Sequence, residues 1–164
     1  MFPKDATSQK NLARANTYDP LPGSGTVIDR TKNMLRAVYD FSVLGGAVGN
    51  ILLVDDQGNP ATLPQGAIVT NVSLHIVTAV TSGGAATLSL GSNIAAAVAD
   101  LLGATAKATL VPTFLAGIPV GTVATWIGPV TAVNGSQLQV AVGTAALTAG
   151  KIYFMVEYTQ SSLT

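Results

Sequence analysis

The chain has 164 residues, with eight Lys and Arg, eight Asp and Glu, one His and no Cys. Its length predicts a single domain with a sizeable core, and the lack of Cys excludes disulfides, zinc–thiolate sites and a thiol nucleophile. Only 10% of residues are charged, against about 25% in ordinary soluble domains, which favours a surface covered by partners over a Thr-rich domain that simply tolerates low charge.

The N-terminal part of the chain differs from the rest in charge and composition. Residues 1–36 carry six basic and three acidic side chains, a net charge of +3, whereas residues 37–164 have a net charge of −3. Residues 1–32 are rich in Asn, Thr, Pro and Gly and show no period. We predict an extended arm over 1–32 that becomes ordered on a neighbour, followed by a β domain over 33–164. The alternative is a frayed terminus without a role.

Neither a membrane span nor a secretory signal is expected. No run reaches the eighteen or so apolar residues that a span requires. The first residues, Met1 to Asp5, lack the apolar region of a secretory signal. We therefore expect a protein made in the cytoplasm, without a membrane partner.

From residue 33 onward the apolar pattern has a period of two, which is typical of half-buried strands. Residues 33–41 alternate between an apolar face and a face that carries Arg36 and Asp40. A short apolar run at 51–54 follows, and then a long strand over 68–80. In that strand Ile68, Thr70 and the residues at every second position up to Val80 are predicted to face inward.

Further elements are predicted towards the C-terminus. Residues 86–89 form a strand, and the apolar spacing in 93–102 predicts one short helix. The Asn134-Gly135 pair predicts a two-residue hairpin that would pair Val133 with Ser136 and Thr131 with Leu138. A last strand covers 150–159. Six to eight strands separated by Gly-rich turns predict an all-β, antiparallel, jelly-roll-like β-sandwich with one short helix.

No reactive constellation is found in the sequence. His75 is the only histidine and is predicted to be a half-exposed strand residue rather than a ligand. The segment Asp55 to Asn59 is predicted to be a turn, because it departs from the calcium-loop pattern. Phosphate loops, catalytic triads and base-stacking platforms are also missing. We expect no enzyme activity, no catalytic residue, no cofactor, no metal, no small-molecule substrate and no nucleic acid partner.

Three segments resemble small virion proteins of tailed bacteriophages. They are Leu63-Pro64-Gln65-Gly66-Ala67-Ile68-Val69-Thr70-Asn71-Val72, Ala85-Ala86-Thr87-Leu88-Ser89-Leu90-Gly91, and Leu147-Thr148-Ala149-Gly150-Lys151-Ile152-Tyr153-Phe154-Met155-Val156-Glu157-Tyr158. The resemblance covers about residues 60–160 and leaves the arm unmatched. It implies a structural protein of the virion.

Within this group the resemblance implies first a capsid cement (decoration) protein. Such a protein lies on the capsid surface as a homotrimer and binds the major capsid protein. The predicted partner-binding residues are Lys4, Lys10, Arg14, Arg30, Lys32 and Trp126. A tail or head-fibre component is an alternative within the group. A carbohydrate-binding β-sandwich that uses Trp126 and Tyr153 is an alternative from another class.

Overall fold

Two antiparallel sheets make up the part of the protein that the computed structural model describes, residues 32–93, 99–117 and 130–160. The strands are β1 (Lys32–Asp40), β2 (Gly49–Leu52), β3 (Thr62–Leu63), β4 (Ala67–Ser82), β5 (Thr87–Ser92), β6 (Leu102–Ala106), β7 (Thr113–Gly117), β8 (Ser136–Gly143) and β9 (Leu147–Gln160). A four-residue helix, α1 (Phe41–Leu44), follows β1, and a 3₁₀ turn (Lys107–Thr109) follows β6.

The first sheet has the strand order β1-β9-β4-β7, and the second has the order β2-β8-β5-β6 with β3 also paired to β8. The long strands β4 and β9 lie side by side in the middle of the first sheet. Neighbouring strands in both sheets are mostly distant in sequence, so the fold depends on non-local pairing.

The core lies between the two sheets. Its largest fully buried side chains come from both sheets and from the loops beside them: Tyr39, Phe154, Leu53, Leu63, Leu74, Ile76, Leu88, Leu90, Leu101, Leu110, Leu138 and Ile152. Every buried side-chain nitrogen or oxygen within the described ranges has a hydrogen-bond partner, so the sandwich is polar-satisfied as well as apolar-packed.

The predicted fold class is confirmed: the chain is an all-β antiparallel sandwich with one short helix in its described part. The alternation in β1 and β9 is also observed, since Ala37, Tyr39, Phe154 and Val156 are all fully buried.

In β4 the predicted alternation holds for Val72, Leu74, Ile76 and Val80, which are buried. Thr70 and Thr78 were predicted to face inward and are exposed. The register between β4 and β9 shifts between Val69 and Asn71 and again between Ile76 and Thr78. Such bulges leave one residue of the strand unpaired and change the side to which the following residues point.

The predicted hairpin is wrong in its pairing. Gly135 does occupy a turn with φ of 76°, and its N–H donates to the carbonyl of Ala132 at 2.9 Å. Ser136, however, pairs with Leu63 of β3 instead of Val133. The backbone of β8 therefore hydrogen-bonds to β3 and to the segment before β3, in place of the predicted pairing with residues 131–133.

The predicted helix over 93–102 is not the helix of the described structure, which is α1. Leu102 is the first residue of β6, and residues 94–98 lie outside the described part. Of the predicted arm only Lys32 is described, and it is the first residue of β1, opposite Thr159. Strands β3, β6 and β7 were not predicted.

Candidate interaction surface

The outer face of the first sheet, which points away from the core, carries most of the polar and exposed side chains of that sheet. Because side chains alternate along a strand, these are the residues between the buried ones. We define the outer face by these residues: Lys32, Met34, Arg36 and Asp40 of β1, Lys151, Tyr153, Met155 and Glu157 of β9, Asn71, Ser73, His75 and Val77 of β4, and Phe114 of β7.

A row of ring contacts crosses all four strands of this face. His75 lies opposite Tyr153 on one side and Phe114 on the other. Its ring is stacked on Phe114, with centroids 4.2 Å apart and planes at 9°, and lies 6.1 Å from the Tyr153 ring. The guanidinium carbon of Arg36 lies 4.2 Å from the centroid of Tyr153, within cation–π range. The four side chains form one continuous row, in which the His75 and Phe114 rings are stacked and the His75 and Tyr153 rings are tilted.

Ion pairs hold the basic side chains of the outer face. The distances are 3.8 Å for Lys32 Nζ to Glu157 Oε2, 3.0 Å for Arg36 Nη1 to Asp56 Oδ2 and 2.8 Å for Lys151 Nζ to Asp40 Oδ2. Each exposed pair contributes little stability. Together they leave these three cations of the face with an acidic partner in the same chain.

A shallow cleft of about 220 Å³ adjoins the face where β1 and β9 meet the loop after β2. Asp40, Asp56, Lys151 and Tyr153 line it together with apolar residues. The neighbouring Asp55 carboxylate accepts the backbone N–H groups of Gln57 and Asn59, both at 2.8 Å. This segment is a turn, as predicted, and in the described ranges no group of three or more His, Asp or Glu is placed to hold a metal ion.

Hydrogen bonds and ion pairing favour the charged forms of Asp40, Asp55 and Lys151 at the cleft. The hydrogen bond from Lys151, and then that from Ser42, lowers the pKa of Asp40. The same contact with Asp40 raises the pKa of Lys151. For Asp55, the backbone N–H of Asn59 is the main cause of a lowered pKa. No proton donor or acceptor near pH 7 results from these shifts, so the cleft has the properties of a structural ion-pair site.

Two solved structures of phage capsids contain chains with the same fold. A chain in the acidic stable capsid structure of Helicobacter pylori bacteriophage KHP30 aligns with a TM-score of 0.52 and 19% identity, over 81% of this chain and 91% of that chain. A chain in the cyanophage Pam1 capsid asymmetric unit aligns with a TM-score of 0.53 and 18% identity, over 91% and 96%. The likeness is one of fold. No protein-family model and no curated protein matches the sequence.

The fold is therefore one that occurs in phage capsids, in agreement with the resemblance noted in the sequence. Both aligned chains are matched over more than nine-tenths of their length. None of the helices in the described ranges is long and apolar enough to cross a bilayer.

Most of the sequence-predicted contact residues lie outside the described part of the chain: Lys4, Lys10, Arg14, Arg30 and Trp126. Lys32 is described, and its side chain pairs with Glu157 at the end of the outer face. His75 is half-buried in mid-strand, as predicted. Tyr153, the predicted sugar contact, has the Arg36 guanidinium over its ring.

Sequence reasoning missed Phe114 and the row of ring contacts to which it belongs. Phe114 is 71% exposed and lies in the five-residue strand β7. The signal available was the apolar pair Phe114-Leu115, which is too short to distinguish a strand from a loop. Its position beside His75 is a consequence of tertiary pairing.

Proposed function

We propose that the chain is a structural protein of a phage virion, and specifically a capsid cement protein that binds the outer surface of the head. The observation that carries this proposal is the shared fold, which spans 91% and 96% of chains in two phage capsid structures. Its proposed partner is the major capsid protein, and the virion is proposed to assemble in the host cytoplasm. We further propose that the protein acts as a homotrimer and is not an enzyme.

The physical character of the described part fits such a role. A cement protein adds free energy to a shell by bridging its subunits, and many copies with individually modest contacts act together. In the described sandwich the buried side-chain nitrogen and oxygen atoms are all hydrogen-bonded, the central strands are long, and surface charges are paired. Nothing in this body needs to move for it to bridge neighbouring subunits.

The arm, residues 1–32, is the proposed contact with the capsid or with a neighbouring copy. Four of the eight Lys and Arg residues precede β1, and complementary charge between partners promotes association. An extended segment can cover a large surface at modest affinity per unit area. The body then fixes the position of Lys32, the last residue of the arm, at the end of the first sheet.

Two other roles were considered at the sequence level. A tail or head-fibre component would share the fold and would differ in copy number on the particle. A carbohydrate-binding module requires open aromatic ring faces, and the Tyr153 ring lies between Arg36 at 4.2 Å and His75 at 6.1 Å. This packing disfavours Tyr153 as a sugar platform.

The test uses purified particles from which the protein has been removed. A variant lacking residues 1–25 should keep the melting temperature of the full chain, because no described strand is touched, and should decorate the particles at much lower occupancy. Wild-type occupancy of the truncated chain would contradict the proposed role of the arm. Cryo-electron microscopy of decorated particles gives the position and copy number, and a copy number far below that of the capsid lattice would favour a tail or fibre role.

Two full-length variants with opposite changes in the charge of the arm separate electrostatic attraction from chain length. Replacing Lys4, Lys10 and Arg14 with Gln should weaken binding, and more so at low ionic strength, where charges are least screened. Replacing Asp5 and Asp19 with Asn in the same segment should strengthen binding if the shell surface is acidic. Equal binding by both variants would show that the arm does not act through its charge.

A further inference from the structure

The outer face is divided into a charged half and an uncharged half. The charged half is formed by β1 and β9, which carry its ion pairs. The uncharged half is formed by β4 and β7, whose sequences contain no Asp, Glu, Lys or Arg. Asn71, Ser73, His75, Val77 and Phe114 make up its outward side, and β7 is at the border of the described sheet.

Apolar surface is exposed on the uncharged half. Phe114 is 71% exposed and Val77 is 43% exposed. The His75 ring lies flat against Phe114, so that the Phe114 ring is held in one orientation although it faces solvent. An ordered, exposed aromatic side chain on a rigid strand loses little conformational freedom when a partner covers it, and aromatic residues are enriched at the centres of protein interfaces.

The charged half has no excess of either sign. Its cations Lys32, Arg36 and Lys151 are each paired with an acid of the same chain. An acidic or basic partner would therefore gain little by binding here, whereas another copy of the same face, with no net charge, meets no repulsion. Apolar surface flanked by paired polar side chains is also found in protein–protein interfaces, which have an apolar core and a polar rim.

We propose that the uncharged half of the outer face is the surface by which one copy of this chain binds another, with the charged half at the rim of the contact. The inference rests on the self-association included in the proposed function and names the surface that performs it. Because the uncharged half is at one border of the described part of the sheet, several copies can bring their Phe114 side chains together around a common axis.

The size of the outer face determines how much of it such a contact must cover. With nine residues in β1, a rise of about 3.4 Å per residue and about 4.8 Å between strands, the four strands cover roughly 30 by 19 Å. A stable interface buries about 800 Å² on each partner. The flat area of the whole face is about 570 Å², so a contact of that size requires the charged half as its rim in addition to the uncharged half.

The first experiment compares two substitutions at exposed apolar residues. Phe114→Lys places a charge in the proposed contact, and Val133→Lys places the same charge at an 81% exposed position in the turn before β8. Sedimentation velocity over a concentration series should show an oligomer for the full wild-type chain and for Val133→Lys. For Phe114→Lys, self-association should be at least tenfold weaker. Equal association of the two variants, or a monomeric wild-type chain throughout the series, would overturn the proposal.

A second readout does not depend on a disruptive charge. The chain contains no Cys, so a single Ser73→Cys or Val133→Cys substitution gives one alkylation site. Alkylation at Ser73→Cys should slow as the protein concentration rises, whereas alkylation at Val133→Cys should not. Parallel rates at both positions would contradict the proposal. Circular dichroism melts of every variant confirm that the sandwich is intact.

Particle binding separates this inference from the proposed function. A Phe114→Lys chain that is dissociated but still decorates particles supports both. A Phe114→Lys chain that forms an oligomer of the wild-type size but no longer binds particles would show that the uncharged half contacts the capsid. This result would overturn the inference and leave the cement role. A wild-type chain that self-associates through this face yet never binds particles would refute the cement role and leave the inference.

Discussion

Replacing Gly135 with Ala should destabilise the sandwich far more than the same change at Gly58. Both glycines have positive φ, 76° and 85°, and a left-handed residue with a Cβ costs about 1–2 kcal/mol. At Gly58 the added Cβ meets nothing within 4 Å, whereas at Gly135 it would lie 2.3 Å from the carbonyl oxygen of Leu63. Since that oxygen belongs to the backbone of β3, the contact is relieved only by moving β3 or β8.

Overpacking of this kind adds about 1–3 kcal/mol, which gives about 2–5 kcal/mol for Gly135→Ala against about 1–2 for Gly58→Ala. In a domain of this length 1 kcal/mol shifts the melting temperature by about 2–4 °C, so calorimetry should separate the two variants clearly. In the hairpin predicted from the sequence, Gly135 would have the same φ but no contact with Leu63. Equal losses for the two variants would therefore refute the β3–β8 pairing and favour the local hairpin.

Three further substitutions test the packing around the first sheet. Tyr39→Phe removes a buried hydroxyl that donates to the carbonyl of Gly45 at 2.8 Å and should cost about 1 kcal/mol in urea unfolding. Burial, and then Asp40, raises the pKa of Tyr39 from 10.0 to about 12. The contribution of the Tyr39 hydroxyl to wild-type stability is therefore complete below pH 10 and decreases towards pH 12. The same decrease in the Tyr39→Phe variant would contradict this. Asp40→Asn removes the contact with Lys151 that lowers the pKa of this carboxyl below 3.8. The wild-type chain should therefore lose stability as the pH falls through the lowered pKa of Asp40. The variant should show a smaller loss, with a difference under about 1 kcal/mol for a surface pair; identical acid melting curves would count against the pair. Phe154→Ala empties a fully buried site and should cost about 3–5 kcal/mol, and a loss under 1 kcal/mol would show that Phe154 is not in the core.

The sequence was sufficient for those features of the fold that depend on local periodicity. The alternation in β1 and β9 predicted which side is buried, because one face of each strand meets the core. It failed at Thr70 and Thr78 of β4, because the bulges depend on how β4 pairs with β9, and no local pattern encodes that register. It failed again at Ser136, where pairing with Leu63 outweighs a strong local turn signal.

The candidate surface was predictable only in part. Alternation placed His75 on the outward side of β4, and its half-exposed position is observed. The ring on which it stacks, Phe114, comes 39 residues later and reaches it through the pairing of β7 with β4. Likewise Arg36 and Tyr153 meet because β1 and β9 are neighbours. A contact that joins four strands requires the strand order, which periodicity does not contain.

The distribution of charge assigns different kinds of contact to the two parts of the chain. Lys107 donates to the carbonyl of Ser82, so every basic side chain from Lys32 onward is engaged by an acid or a carbonyl within the body. The four remaining Lys and Arg residues all precede residue 32, in the arm that we propose binds an acidic shell. Because salt screens exposed charges but leaves apolar contacts intact or strengthens them, ionic strength should weaken attachment through the arm while the contact through Phe114 persists.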